Sequence, residues 1–239
     1  MKRVWAALRR KAGKLIFERD IDTGGVVHLP IHDAERILYV AANRGTLRRA
    51  LPTAAVADLD VFLDAGSGKG RMLLEAARHY GFQRVVGVEL VPELHETAMM
   101  NVEASRSRLH CPVELVQSDI VDYAIPDDVT VIFLHNPFRG EPFQMFLDNL
   151  SASLSRRRRP LTVIYFNPTE LTAFLSTRLF VVTNVLRPHR GRDDFPYGWT
   201  VVAKTLEPEV RVVEASDPQP ADRDLAATSI VAVESSKGS

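Results

Sequence analysis

The stretch Asp64-Ala65-Gly66-Ser67-Gly68-Lys69-Gly70 joins a short apolar run, Val61–Asp64, to a helix-forming run, Arg71–Tyr80. Three glycines at alternate positions let a backbone turn tightly and approach a ligand with no side chain in the way. In an open α/β sheet such a turn lies beyond the carboxyl end of its strand, where ligands bind. Outward from the turn the alternation continues. Val85–Leu90 is a β-rich run, and Pro92 opens a helix to about Ser107. Val113–Gln117, Val129–His135 and Leu161–Phe166 follow as strands, with helices expected over Glu141–Ser155 and Thr169–Leu175. Phe180–Leu186 and Trp199–Leu206 then read as two strands with little helix between them. Short apolar strands alternating with helices imply a mostly parallel sheet covered on both faces. The last two strands, lacking a crossover helix, are expected to pair antiparallel at one edge.

The spacing of the glycines separates the ligands that such turns hold. A phosphate-binding P-loop needs G-x-x-x-x-G-K-[ST], and aligning Gly68-Lys69 to it puts Leu63 and Gly70 at its two fixed ends. A dinucleotide turn needs G-x-G-x-x-G, and counting from Gly66 puts Arg71 at the third glycine. The pattern that remains, D/E-x-G-x-G-x-G, resembles motif I of class I S-adenosylmethionine-dependent methyltransferases. That cofactor has no pyrophosphate but carries an ammonium and a sulfonium. A carboxylate at Asp64 suits the ammonium and would repel a phosphate. Glu89 stands 19 residues past Gly70, where an acid can accept both ribose hydroxyls.

The resemblance extends over about residues 25–205 and implies a Rossmann-like, seven-stranded sheet with helices on both faces and an antiparallel edge pair. It also implies roles. Asp64, Gly66, Ser67, Gly68, Gly70 and Glu89 would bind the cofactor. Asp119, after the third strand, would hold the adenine amino group, with Ile120 beside the ring. Asn136-Pro137-Phe138 falls where motif IV faces the transferring methyl, and lacks the second proline of the nucleobase and glutamine N-methyltransferases. Asn136 would orient an acceptor nitrogen and Phe138 would hold the acceptor or meet the sulfonium. "GSGKGR" with "NPF" resembles a bacterial branch of these enzymes and is similar to the non-SET protein-lysine methyltransferases. His32, His135 and His189 are candidate bases. Leu29-Pro30-Ile31-His32 is a candidate lid, and residues 188–194 a candidate acceptor loop.

Composition bounds the rest. Lys and Arg number 30, as do Asp and Glu, so no global field draws the chain to nucleic acid or membrane. Residues 1–20 carry seven basic and two acidic side chains, and residues 207–239 seven acidic and three basic. A helix with a basic surround is expected over 2–17, and another from Asp33 through Ala41. Arg156–Arg159 are read as a solvated turn that could touch phosphates. Cys111 is the only cysteine, which precludes an intrachain disulfide and suits the cytoplasm. Neither a metal site nor a membrane span is expected. The domain reading is a helical extension or lid over 1–55, a cofactor-binding domain over 56–207 and a weakly ordered acidic tail over 208–239. The function expected is methyl transfer to an unspecified acceptor, a protein side-chain amine or small molecule ahead of nucleic acid. A nucleic-acid N-methyltransferase and a non-catalytic cofactor-binding module are the alternatives.

Overall fold

The computed structural model describes residues 21–24, 26–27, 39–42, 45–135, 138–188, 196–206, 210–212 and 233–235. In chain order they form β1 (Val26–Val27), β2 (Tyr39–Val40), α1 (Thr46–Ala50), β3 (Val61–Ala65), α2 (Arg71–His79), β4 (Arg84–Glu89), α3 (Pro92–Ser105) and β5 (Val113–Gln117). Then come β6 (Val131–His135), α4 (Gly140–Arg156), β7 (Thr162–Phe166), α5 (Leu171–Ser176), β8 (Phe180–Leu186), β9 (Thr200–Thr205), β10 (Val210–Val212) and β11 (Val233–Ser235). The chain divides into two units, residues 1–205 and 206–239. In the second, β10 and β11 pair antiparallel.

Seven strands of the first unit form one sheet in the order β5-β4-β3-β6-β7-β9-β8. The five from β3 to β7 run parallel, and β9 runs antiparallel to both β7 and β8. This is the expected fold, with one refinement at the edge: the last strand of the sheet, β9, lies inside β8. The burial of the two strands fits that order. Thr200, Val201, Val202 and Ala203 of β9 are buried, whereas Val181 and Val185 of β8 are nearly half exposed. An interior strand is covered on both faces and an edge strand need not be.

Alternation along the strands sends side chains into two cores. Val61, Leu63, Val86, Val88, Ile132, Leu134, Val163 and Tyr165 pack with Phe143, Phe146, Leu147 and Leu150 of α4 and Phe174 of α5. Phe62, Val85, Val131, Phe133 and Ile164 pack on the other face with Leu47 and Ala50 of α1 and Met72, Leu73 and Ala76 of α2. Each fully buried Leu or Phe contributes about 1.5–3 kcal/mol.

Because β3 feeds outward to β4 and β5 while β6 feeds to β7, the sheet reverses direction between β3 and β6. The crevice beyond the carboxyl ends of these neighbours is where a ligand fits in such a sheet. The helix expected through Ala41 is not seen at its end, since Tyr39 and Val40 pair antiparallel with Val27 and Val26. An aromatic and a β-branched residue suit a strand there. The expected helix over 2–17 lies outside the described residues.

Candidate active site

The glycine loop takes the conformation its composition permits. Gly66, Gly68 and Gly70 have φ of 80°, 54° and 80°, left-handed values that cost another residue roughly 1–2 kcal/mol each. Gly66 and Ser67 both donate their N–H to the carbonyl of Val88, at 3.0 and 2.9 Å, and Gly70 donates to the Ser67 carbonyl at 2.9 Å. The loop is thereby tied to the end of β4. Gly87 makes this approach possible. A Cβ there would sit 3.0 Å from Cβ and Oγ of Ser67 and collide with Cδ1 of Leu73.

Two acids lie beside the loop, on the sheet face that α2 covers. Asp64 pairs in register with Gly87, and Glu89 lies two residues further along β4. Glu89 is 7% exposed. Its Oε2 accepts from Gly68 N–H at 2.7 Å and its Oε1 from Val91 N–H at 2.9 Å. A carboxylate has about four lone-pair sites, so these donors leave room for a further one, such as a ribose hydroxyl. Burial pushes the Glu89 carboxyl up, against the N–H groups of Val91, Gly68 and Leu90 that favour its anion. Asp64 is 3% exposed. Burial, and then the charge of Glu89, hold its carboxyl well above the usual range. Among the described residues no Lys or Arg pairs with either acid. Two adjacent buried carboxyls that no described Lys or Arg pairs with fit a ligand that supplies positive charge.

A short segment not singled out in the sequence packs against the loop. Asn101 of α3, 3% exposed, donates from Nδ2 to the carbonyls of Asp22 and Lys69, at 2.8 and 2.9 Å, and accepts from Asp22 N–H at 3.0 Å. Lys69 Nζ reaches Asp22 Oδ2 at 2.6 Å and the Gly24 carbonyl at 3.2 Å. Arg71 donates to Thr23 Oγ1 at 3.2 Å and to the Ala42 carbonyl at 2.7 Å. Residues 22–24 are therefore fastened to both sides of the glycine turn. Nothing in the local pattern of Asn101 or Asp22 announces this, because the partners lie 79 residues apart. The proposed lid at Leu29–His32 lies outside the described residues.

Beyond β5, Asp119 forms a turn. Its Oδ1 accepts from Val121 N–H at 3.2 Å, and its carbonyl accepts from Ser118 Oγ at 3.0 Å. Ile120 points into the α4-side core at 4% exposure, so what it can present to an adenine is backbone. Glu89 is linked to this turn through its carbonyl, which accepts from Ser118 N–H at 3.0 Å.

The carboxyl ends of β6 and β7 carry the other half of the crevice. Asn136 lies outside the described residues, as do His32 and His189. Phe138 corrects the expectation made for it. Its ring is 2% exposed and packs on Phe146 and Phe143 at 5.7 and 6.0 Å between centroids, so it belongs to the α4-side core and does not face an acceptor. An aromatic ring with two aromatic neighbours gains more by burial than by exposure at a pocket wall. His135 ends β6, half-buried, edge-on to Phe166 at 4.7 Å, with Nε2 3.1 Å from Asn167 Nδ2. Burial first, and then the Arg71 guanidinium, lower its titration to about 4.

Of the basic run at 156–159, Arg157 and Arg158 are exposed, while Arg156 and Arg159 are engaged by the protein. Arg159, 9% exposed, bonds the carbonyls of Val129, Ser153, Arg157 and Pro126 and the Ser153 hydroxyl. Arg156 pairs with Asp127 at 2.8 Å. These two are spent on backbone and an acid rather than offered to phosphates. Among the described residues no group of His, Cys, Asp and Glu could hold a metal ion.

With this geometry in place, residues 62–156 match the model of the methyltransferase domain family. Residues 62–156 thus carry a methyltransferase domain. The cationic methionine end and the ribose of S-adenosylmethionine would suit the acids just described. Over 65 residues the chain is 35% identical to a protein-lysine N-methyltransferase of Saccharolobus islandicus (strain REY15A), a match covering 27% of this chain and 40% of that protein. The chain thus spans less than half the length of that relative. The mitomycin 7-O-methyltransferase structure matches with a TM-score of 0.51 at 16% identity, over 67% of this chain and 52% of that one, which shows the shared fold. An RNA methyltransferase of Salinibacter ruber, in complex with S-adenosyl-L-homocysteine, matches at 24% identity and a TM-score of 0.46, over 75% of this chain and 98% of that one.

Proposed function

We propose that the protein transfers the methyl group of S-adenosylmethionine to a protein side-chain amine. The observation that carries the cofactor half of this is the 2.7 Å bond from Gly68 N–H to Glu89 Oε2. It fixes the acid against the glycine turn, where its remaining lone pairs would be offered to a ligand in the crevice. Bound there, the cofactor would supply an activated methyl on a sulfonium for displacement by the acceptor's lone pair, the carbon–sulfur electron pair going to sulfur. Glu89 would accept the ribose hydroxyls and Asp64 the ammonium, directly or through water. The three glycines keep the loop face free of side chains. Asp119 and the backbone of Ile120 would meet the adenine, and Asn136 the acceptor. Positioning is the main device available to such a site, since in-line displacement needs alignment more than acid or base.

A side-chain amine is favoured by the 65-residue similarity to a protein-lysine N-methyltransferase and by equal numbers of basic and acidic side chains, which give no general attraction to nucleic acid. Among the described residues no helix is long and apolar enough to cross a membrane, and a single cysteine suits a reducing compartment such as the cytoplasm. The test is transfer of a labelled methyl group from S-adenosylmethionine to a protein extract and, in parallel, to RNA. Label in protein that survives nuclease and is lost on protease treatment supports the amine. Label in RNA alone would move the acceptor to nucleic acid.

A further inference from the structure

Asn167 follows β7 with φ of 52°, a left-handed conformation that asparagine tolerates better than most residues. Every polar group it has is engaged. Its N–H donates to the Trp199 carbonyl at 2.9 Å, and its carbonyl accepts from Thr169 N–H at 2.7 Å. Its side-chain Oδ1 accepts from Gly198 N–H at 2.6 Å. A backbone N–H can only donate, so the amide atom it meets is the oxygen, and the other must be Nδ2. Nδ2 is a donor without a lone pair to offer. The His135 nitrogen 3.1 Å from it must therefore accept, and in a neutral imidazole the proton then resides on Nδ1. Nδ1 has no hydrogen-bond partner among the described residues.

The placement gives this tautomer a use. His135 is the last residue of β6, beside the point where the sheet reverses, and on the face from which Arg71 of α2 approaches. Phe166, its register partner on β7, is uncharged, as is Asn167. The charged group acting on the ring is thus the Arg71 guanidinium, which disfavours imidazolium. A left-handed φ alone is met equally well by glycine, so the conformation does not account for an amide bonded on both sides.

We propose that Asn167 is a positioning residue that holds His135 as its Nδ1–H tautomer, so that the imidazole meets the methyl acceptor as a hydrogen-bond donor and not as a base. The inference rests on the methyltransferase reading of the crevice. It removes His135 from the candidate bases: one nitrogen is protonated and the lone pair of the other is occupied. The donor suits an oxygen of the acceptor, such as a peptide carbonyl near the amine, and the proton of the amine leaves to water.

The test is nitrogen–proton correlation spectroscopy of the full chain labelled with ¹⁵N-histidine, with His135→Gln assigning the resonance. The wild type is expected to show Nε2 unprotonated and Nδ1 protonated from about pH 6 to about pH 9. Saturating S-adenosylhomocysteine is expected to shift the Nδ1–H resonance without changing the tautomer. In Asn167→Asp both side-chain oxygens can only accept, so the proton is expected to move to Nε2 and the titration to rise by about one to three units. Asn167→Gly keeps the backbone and is expected to give a mixture of tautomers. Wild-type His135 protonated on Nε2, unchanged spectra in both variants, or no shift with bound S-adenosylhomocysteine would each overturn the proposal. Failure of S-adenosylhomocysteine to bind the wild type would instead overturn the cofactor reading and leave the tautomer result standing.

Discussion

The two halves of the crevice are built in different ways. On the β3–β4 side the parts lie close in sequence: a seven-residue turn, an acid at its start and a second acid at the end of the next strand. Backbone groups of the turn bond directly to β4 and to Glu89. On the β6–β7 side the parts are far apart: His135, Asn167 and Gly198 meet only after β9 has inserted between β7 and β8. A site whose geometry is set by a local turn leaves a spaced motif in the chain. A site assembled across strands leaves single residues with ordinary neighbours.

Substitutions in each half sharpen that contrast. The largest effect is expected from Glu89→Ala, which deprives the N–H groups of Gly68 and Val91 of a carboxylate. At about 1.5–3 kcal/mol per charged hydrogen bond, affinity for S-adenosylhomocysteine is expected to fall by roughly 100-fold or more. Calorimetric titration measures it, and a loss under tenfold would detach Glu89 from the cofactor. Next comes Gly87→Ala, where the added methyl meets Leu73 and Ser67. Overpacking of this kind costs typically ~1–3 kcal/mol, so the melting temperature and the affinity should fall together. Normal stability with normal affinity would show that the loop does not depend on this close approach.

Asp64→Asn is expected to separate stability from binding. The folded-state titration of Asp64 is raised, so the stability linked to its protonated form is present at low pH and lost as pH rises through that titration. At neutral pH the ligand-free variant should melt higher than wild type, by about 2–4 °C per kcal/mol recovered, yet bind S-adenosylhomocysteine more weakly. A variant that melts lower and binds equally well would contradict the pairing of Asp64 with a cationic ligand.

The same contrast explains what the chain disclosed before its fold was known. The parallel core and its edge pair were legible because apolar runs such as Val61–Ala65 and Val131–His135 are short, buried on both faces and separated by helices. The glycine turn, Asp64 and Glu89 were legible from spacing. Phe138 was misassigned because an aromatic after a strand reads alike whether it lines a pocket or fills a core; contact with Phe143 and Phe146 decides it. Arg159 was read as solvated although it staples four carbonyls, since an arginine run looks like a surface. Asn167 stands before a proline at the end of β7, a local pattern that announces no more than a turn. Its amide matters only through partners 31 and 32 residues away.

Smaller effects test the boundary between the halves. Asn101→Ala removes the bonds that hold residue 22 against Lys69. At about 0.5–1.5 kcal/mol per neutral hydrogen bond, roughly a tenfold loss of S-adenosylhomocysteine affinity is expected if that segment belongs to the cofactor half. Unchanged affinity with lowered stability would make it packing alone. Smallest is the pH effect of His135. Its titration is lowered from 6.5 to about 4, so the stability it contributes is present above pH 6.5 and lost as pH falls toward 4. His135→Gln should flatten the melting temperature over that interval, and an unchanged pH profile would contradict the burial assigned to the ring.

The central claim is that Asp64, the glycine turn and Glu89 form a site for an adenosyl cofactor that carries positive charge. Its most direct test is calorimetric titration of the full chain with S-adenosylmethionine, S-adenosylhomocysteine, NAD and ATP, alongside Glu89→Ala. Binding of the two adenosyl compounds alone, lost in the variant, is the predicted result. Binding of NAD or ATP in their place, or binding that the variant leaves intact, would contradict it.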